Sequence, residues 1–101
     1  MSFKNQTVVI TGGASGIGLA AAHLIQKNNG TPLLLDMDLK KLNEAQRNLN
    51  LTDSIFEVDV SDEAELNNCL DFALEKLPPI KGLVCSAGKA PIPKRIEDTE
   101  L

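Results

Sequence analysis

The chain has 101 residues, and its apolar and charged fractions of 43% and 24% are typical of one small globular domain. Its formal net charge of −4 argues against nucleic acid or an anionic membrane as the main partner. No apolar run approaches the roughly 20 residues of a membrane span, and the N-terminus shows no apolar secretory signal. Cys69 and Cys85 fit no metal-ligand or disulfide pattern, so we expect a cytoplasmic protein.

Short apolar runs alternate with amphipathic segments. Thr7–Thr11 is β-branched throughout and predicts a first strand that is buried on both faces. A glycine-rich turn follows, and the pattern then predicts a helix from Ile17 to Asn28 that is stopped by Gly30. Thr31–Asp36 predicts a second strand.

The second half of the chain continues the alternation. Asp38 is expected to cap a second helix, Ile55–Val58 to form a third strand, and Ser61 or Asp62 to cap a third helix. The apolar positions of this third helix predict one buried stripe: Leu66, Leu70, Ala73, Leu74 and Leu77. Pro78 and Pro79 end that helix, residues 82–86 predict a fourth strand, and residues 87–101 are expected to be a loop. The order β-α-β-α-β-α-β predicts an α/β fold with parallel strands and helices on both faces.

The turn from Thr11 to Gly18 has the composition of a phosphate-binding loop. Glycines allow the chain to reverse and a diphosphate to approach the backbone, and the following helix offers free N–H groups to it. A P-loop is excluded because Leu19 stands where a lysine is required. The fingerprint G-x-G-x-x-[GA] fits only at residues 16–21, which is too far beyond the strand. The alternative is a glycine-rich connector that binds nothing.

Asp36 ends the second strand, 18 residues beyond Gly18. A carboxylate there can accept hydrogen bonds from both ribose hydroxyls of an adenine nucleotide, and it would repel a 2′-phosphate. Ser15 and Met37, the residues best placed to offset that repulsion, are neutral. The sequence therefore favours NAD over NADP, and the alternative is a solvated acid at a strand end.

Four motifs together resemble the short-chain dehydrogenase/reductase family. The segment Thr11-Gly12-(x)3-Gly16-Ile17-Gly18 is similar to the family's cofactor turn, and Asp36 to its NAD-selecting acid. Asp59-Val60 is similar to the family's D-V pair, which contacts adenine. Cys85-Ser86-Ala87-Gly88 resembles its N-N-A-G motif, with Cys and Ser in place of the two Asn. The resemblance implies a Rossmann-like sheet of strand order 3-2-1-4 that is incomplete relative to the full family fold.

The resemblance also implies function. Residues 1–101 would be the N-terminal part of a single dinucleotide-binding domain, from an enzyme that transfers hydride between NAD and an alcohol or carbonyl substrate. The expected cofactor-binding residues are Gly12, Ser15, Gly16, Ile17, Gly18, Asp36, Asp59, Val60, Ser86, Ala87 and Gly88. The family's catalytic Ser, Tyr and Lys would lie after Leu101, and this chain contains no tyrosine. A homo-oligomer would be compatible with the family, but these residues do not indicate one.

Two other functions stay open at this point. The absent tyrosine is compatible with a truncated or degenerate nucleotide-binding module without catalysis. A methyltransferase that uses S-adenosylmethionine also combines a glycine turn with an acid after the second strand, but Gly18 and the pair Ala87-Gly88 disfavour it. Among the other residues, Cys69 is expected to be a small packing residue on the third helix and Cys85 a buried thiol near the cofactor.

Overall fold

A computed structural model describes residues 2–14, 16–51 and 54–85 of the chain. The elements are β1 Thr7–Thr11, α1 Gly16–Lys27, β2 Thr31–Asp36, α2 Leu39–Leu49, β3 Ile55–Glu57, α3 Glu63–Lys76 and β4 Ile80–Cys85. The predicted order of strands and helices is confirmed. The bounds of β1 and β2 are as predicted, and those of the other elements differ from the predicted ones by at most two residues. No helix in the described ranges has the length and apolar character needed to cross a membrane.

The strands form one parallel sheet in the order β3-β2-β1-β4, which confirms the predicted fold class. Thr11 at the end of β1 lies opposite Leu35 of β2 and Cys85 of β4. Asp36 lies opposite Glu57 at the end of β3. The carboxyl ends of all the strands therefore meet at one edge. From β1 the chain passes to β2 and β3 on one side, and it later forms β4 on the other side of β1. In α/β sheets such a reversal of direction creates a ligand-binding crevice.

The core lies on both faces of the sheet because consecutive strand residues point to opposite sides. In β2, Leu33 packs toward α3 and Leu34 toward α1 and α2. The cluster on the side of α1 and α2 comprises Val8, Ile10, Ala14, Ala22, Ile25, Leu34, Leu42, Ala45 and Leu49. The cluster on the side of α3 comprises Val9, Leu33, Leu35, Val58, Leu66, Cys69, Leu70, Ala73 and Ile80.

The predicted helix caps are present. The Asp38 carboxylate accepts a hydrogen bond from the Lys41 backbone N–H at 3.1 Å. Of the two candidates for the third helix, Asp62 is the cap, since its carboxylate accepts from the Glu65 N–H at 3.1 Å. At the other end, Leu77 is extended, as the residue before a proline must be to avoid a clash with the proline ring.

The predicted stripe of α3 is wrong at one position. Leu74 is 47% exposed, whereas Leu66, Leu70 and Ala73 are buried and Leu77 is half-buried. At about 100° per residue, Leu74 lies about 80° from Leu66 around the helix, and Cys69 lies about 60° to the other side. The helix is turned so that Cys69 enters the core, which confirms that Cys69 is a packing residue and leaves Leu74 at the margin.

Candidate functional site

The glycine turn is tied to the end of β2 by three consecutive backbone N–H groups. Those of Gly12 and Gly13 donate to the Leu35 carbonyl oxygen at 2.7 Å and 3.2 Å. The N–H of Ala14 donates to the Asp36 Oδ2 atom at 3.2 Å. These bonds hold the first part of the turn, Gly12 to Ala14, at the end of β2, just before the chain enters α1.

The shape of this turn favours glycine at three positions. Gly12 has a φ of +66°, in the left-handed region that glycine adopts freely. A Cβ atom on Gly13 would lie 2.9 Å from Leu34 Cδ2 and 3.0 Å from the Ile10 carbonyl oxygen, so the neighbouring atoms would have to shift to admit a side chain. Gly16, the first residue of α1, has a φ of +59°, which glycine adopts without a steric penalty. Apart from its chain neighbours and its own helix backbone, a Cβ built on Gly16 would meet no atom of the described residues within 4 Å. The backbone here adjoins open space.

The amino terminus of α1 faces this open space. The first N–H groups of a helix have no carbonyl partner within it, and they carry the positive end of the helix dipole. No acidic side chain lies in the first turn to neutralise that end. Ile17 is 78% exposed, whereas Gly18 is buried. This end of α1 is therefore suited to bind an anion.

The half-buried carboxylate of Asp36 lies beside the turn. Besides the bond to Ala14, its Oδ1 atom accepts a hydrogen bond from the Asp38 backbone N–H at 3.0 Å. Both oxygens are thereby held in place. A carboxylate oxygen can accept two hydrogen bonds, so each of them keeps acceptor capacity for a hydroxyl donor.

Asp59 is oriented by a neighbour that the sequence analysis did not single out. Its Oδ1 atom accepts hydrogen bonds from the Ser61 backbone N–H at 2.9 Å and from the Ser61 hydroxyl at 2.6 Å. These bonds, the hydroxyl first, lower the pKa of the Asp59 carboxyl. The spacing D-x-S is the available sequence signal, since Asp side chains often bond the backbone two residues on. Val60 is half-buried against the core on the side of α3.

We expect Ser61→Ala to raise the pKa of the Asp59 carboxyl toward its ordinary value, because the stronger of its two bonds is lost. A carboxyl with a lowered folded-state pKa stabilises the fold above its unfolded-state pKa, and that contribution is lost as pH falls through the folded-state pKa. Ser61→Ala should thus reduce the part of the stability that is present at neutral pH and is lost in acid. NMR titration of the Asp59 carboxyl carbon measures the shift, and Ser61→Thr, which keeps the hydroxyl, is the control. An unchanged pKa in the alanine variant would contradict the assignment.

At the other side of β1, the Thr11 hydroxyl donates to the Val84 carbonyl oxygen at 3.4 Å and links the ends of β1 and β4. The prediction that Cys85 is a buried thiol is wrong, because its side chain is exposed. Cys85 is the last residue of β4 and lies at the carboxyl edge of the sheet. In the described sheet, β4 is an edge strand that pairs only with β1. No described element covers that position.

The two cysteines should differ strongly in thiol reactivity. Burial raises the pKa of the Cys69 thiol to about 12, so only roughly one part in ten thousand is thiolate at pH 8. Cys85 is exposed. We expect one thiol per chain to react rapidly with a chromogenic disulfide and the second to react only when the chain unfolds. Rapid reaction of the folded Cys85→Ser variant would contradict this expectation.

Several predicted site residues lie outside the described ranges, namely Ser15, Ser86, Ala87 and Gly88. The structure brings the others together at the carboxyl edge of the sheet: Gly12, Gly16, Ile17 and Gly18 at the start of α1, Asp36 after β2, and Asp59 and Val60 after β3. Within the described part of the chain, no group of three or more His, Cys, Asp or Glu side chains could hold a metal ion.

Comparison with known proteins decides the family. The family model described as short chain dehydrogenase matches residues 6–100. The chain belongs to the short-chain dehydrogenase family. Members of this family of oxidoreductases generally bind a nicotinamide cofactor, NAD or NADP.

Among the relatives of this chain, 3-hydroxyacyl-CoA dehydrogenase type-2 of Drosophila melanogaster is 33% identical over 87 residues, which are 86% of this chain and 34% of the relative. Short-chain dehydrogenase reductase 5 of Arabidopsis thaliana is 33% identical over 82 residues, which are 80% of this chain and 32% of the relative.

Solved short-chain dehydrogenases have the same fold. A short chain dehydrogenase from Bacillus anthracis superposes with a TM-score of 0.78 at 25% identity, over 85% of this chain and 36% of that one. A short-chain dehydrogenase/reductase of Brucella melitensis, described as glucose/ribitol dehydrogenase, superposes with a TM-score of 0.73 at 29% identity, over 82% of this chain and 37% of that one. The chain thus spans about a third of the length of the relatives it matches.

Proposed function

We propose that residues 1–101 are the N-terminal part of a single dinucleotide-binding domain and that this domain binds NAD in a short-chain dehydrogenase. The whole enzyme would transfer hydride between the nicotinamide ring and a small alcohol or carbonyl substrate. The observation that carries the proposal is the position of Asp36, whose carboxylate lies beside the glycine turn at the carboxyl edge of the sheet. We also propose a cytoplasmic location, which is supported by two cysteines that form no disulfide.

The amino end of α1 fits the diphosphate of a dinucleotide. The space beside Gly16 is open where a side chain would otherwise stand, and the adjoining N–H groups of Ile17 and Gly18 belong to the first turn of the helix. Gly12, Gly13 and Ala14 instead direct their N–H groups to β2. The diphosphate would therefore be held from Gly16 onward, with Ser15 as the adjoining residue of the turn.

Asp36 supports the choice of NAD. Its carboxylate would accept hydrogen bonds from the ribose hydroxyls, and it would repel the 2′-phosphate of NADP. Two unit charges about 4 Å apart interact by about 4 kcal/mol at an effective dielectric constant near 20. Since the carboxylate is only half-buried, solvent screening reduces this figure, and we expect a preference of about tenfold to hundredfold.

The remaining contacts follow the family resemblance. Asp59, with one oxygen held by Ser61, would accept from the adenine amino group through its other oxygen, and the Val60 N–H would face the ring. The backbone of Ala87 and Gly88 would lie against the nicotinamide ribose, and Ser86 is the third cofactor-binding residue of that motif. When bound, the nicotinamide supplies the hydride chemistry, and the residues of this chain bind and orient the cofactor.

A second candidate is a nucleotide-binding module without hydride transfer. The 101 residues contain no tyrosine, so by themselves they can supply cofactor binding but not the family's general acid/base, which is a tyrosine. For either candidate, we expect the 101-residue chain by itself to bind NADH and to oxidise no alcohol. Alcohol oxidation by the purified chain would contradict the expected absence of catalytic residues from it.

Calorimetric titration with NADH and NADPH tests the binding proposal. We expect NADH to bind about ten to one hundred times more tightly than NADPH. Equal affinities would remove the role of Asp36 in selection, and no binding of either dinucleotide would overturn the proposed function. S-adenosylmethionine serves as the negative control ligand, and it should not bind tightly.

A further inference from the structure

Asp36 also contacts the phosphate-binding turn itself. Of the three consecutive turn amides that point at β2, the first two are held by the Leu35 carbonyl, which any residue at position 35 would supply. The third, the Ala14 N–H, is held by a side chain, the carboxylate of Asp36, across 22 positions of sequence. Ala14 is itself buried in the core on the side of α1 and α2. This bond therefore fixes the last turn residue that the structure describes before α1.

We propose that Asp36 is a positioning residue that holds the glycine turn in its ligand-binding shape before any nucleotide arrives. This proposal rests on the proposed function only in taking the turn as the diphosphate site. It adds a second task to the residue that selects the ribose. The affinity of the turn for a diphosphate would then depend on Asp36 even for a ligand that has no ribose hydroxyl.

A carboxylate suits this task better than an amide. Its two oxygens accept from two different backbone N–H groups, Ala14 through Oδ2 and Asp38 through Oδ1. It therefore bridges the turn before α1 and the residue that caps α2. An asparagine has only one acceptor oxygen and can replace only one of these two bonds. The bonds to a charged group are also stronger than those to a neutral amide.

Hydrogen exchange in the ligand-free chain tests the positioning role independently of binding. In Asp36→Ala, we expect the Ala14 amide to exchange about tenfold to hundredfold faster, because its charged acceptor is gone. The Leu34 amide, which donates to the Ser54 carbonyl within the core, reports on global stability and should change less. In Asp36→Asn, the Ala14 amide should exchange at a rate between those of the unmodified chain and Asp36→Ala. Equal exchange of the Ala14 amide in the unmodified chain and Asp36→Ala would overturn the proposal.

Binding of 2′,3′-dideoxy-ADP separates the two tasks of Asp36, since this ligand carries a diphosphate but no ribose hydroxyl. If Asp36 acted only on the ribose, Asp36→Ala would leave this affinity unchanged or increase it by removing a negative charge. We expect a decrease of about threefold to tenfold instead. Asp38→Asn is the matched control, because it removes the same charge two residues away and keeps a good helix cap. We expect that control to bind the ligand as the unmodified chain does.

The experiments distinguish a failure of the proposed function from a failure of the positioning role. If the unmodified chain bound neither NADH nor dideoxy-ADP, the proposed function would be wrong, and the exchange rate of the Ala14 amide would still decide whether Asp36 holds the turn. If Asp36→Ala bound dideoxy-ADP as tightly as the unmodified chain, the positioning role would be wrong and NADH binding would stand.

Discussion

Gly16→Leu is expected to reduce the affinity of the chain for NADH by about 100-fold or more, which corresponds to about 2.8 kcal/mol. The leucine side chain would occupy the open space beside the amino end of α1, where the diphosphate is proposed to bind. Each lost bond between a phosphate and a helix amide is worth about 1.5–3 kcal/mol, so the loss of two is enough. Calorimetric titration with NADH measures the effect.

The same substitution should leave the fold intact. Because a Cβ on Gly16 meets no neighbouring element of the described structure within 4 Å, the expected structural cost is the positive φ, about 1–2 kcal/mol for a residue with a side chain. Asn50→Leu is a matched control, since Asn50 also has a positive φ, of 55°, and caps the carboxyl end of α2. It should be destabilised to a similar degree and keep NADH binding. A folded Gly16→Leu chain with unchanged NADH affinity would show that the diphosphate lies elsewhere.

Leu34→Ala is expected to lower the free energy of unfolding by about 2–5 kcal/mol, the range for truncation of a fully buried leucine. The side chain is 0% exposed and lies in the core between the sheet and the pair α1 and α2. It also adjoins the turn, because a Cβ on Gly13 would fall 2.9 Å from its Cδ2 atom. A domain of this size has a total stability of about 5–15 kcal/mol, so the variant loses a large fraction of it.

Urea denaturation of Leu34→Ala beside Leu74→Ala measures this effect with the same chemical change at two sites. Leu74 is half-exposed on α3, and its truncation should cost less than about 1 kcal/mol. Similar midpoints for the two variants would contradict the described packing. We also expect Leu34→Ala to bind NADH more weakly under conditions where it is still folded, since its cavity adjoins the turn.

The fold was predictable because its signals are local and consistent with one another. A run of β-branched residues in β1, the capping residues Asp38 and Asp62, and the proline pair at 78–79 each specify an element without knowledge of the others. Their alternation leaves few topologies. The exposure of Leu74 was not predictable, because Leu74 is as apolar as the buried residues of α3 and only the packing of the helix against the sheet leaves it at the margin.

The candidate site was predictable in its residues and not in its bonds. The spacing from Gly12 to Asp36 places both at the carboxyl edge of neighbouring strands, and the structure confirms that placement. The contact between the Ala14 N–H and the Asp36 carboxylate could not be read from the sequence, because it depends on the path of a turn. The exposure of Cys85 depends on which elements lie beside β4, and that too is a tertiary property.

Mapping NADH onto the chain by amide chemical shifts tests the central claim most directly. We expect saturable shifts at Gly16, Ile17 and Gly18, at Asp36, and around Asp59, all at the carboxyl edge of the sheet. The opposite edge offers a competing cleft, which is lined by residues that include Gln26, Thr31, Asn50 and Pro78. Shifts concentrated in that cleft, or no saturable shift at the amino end of α1, would contradict the proposal that a dinucleotide binds across the ends of the strands.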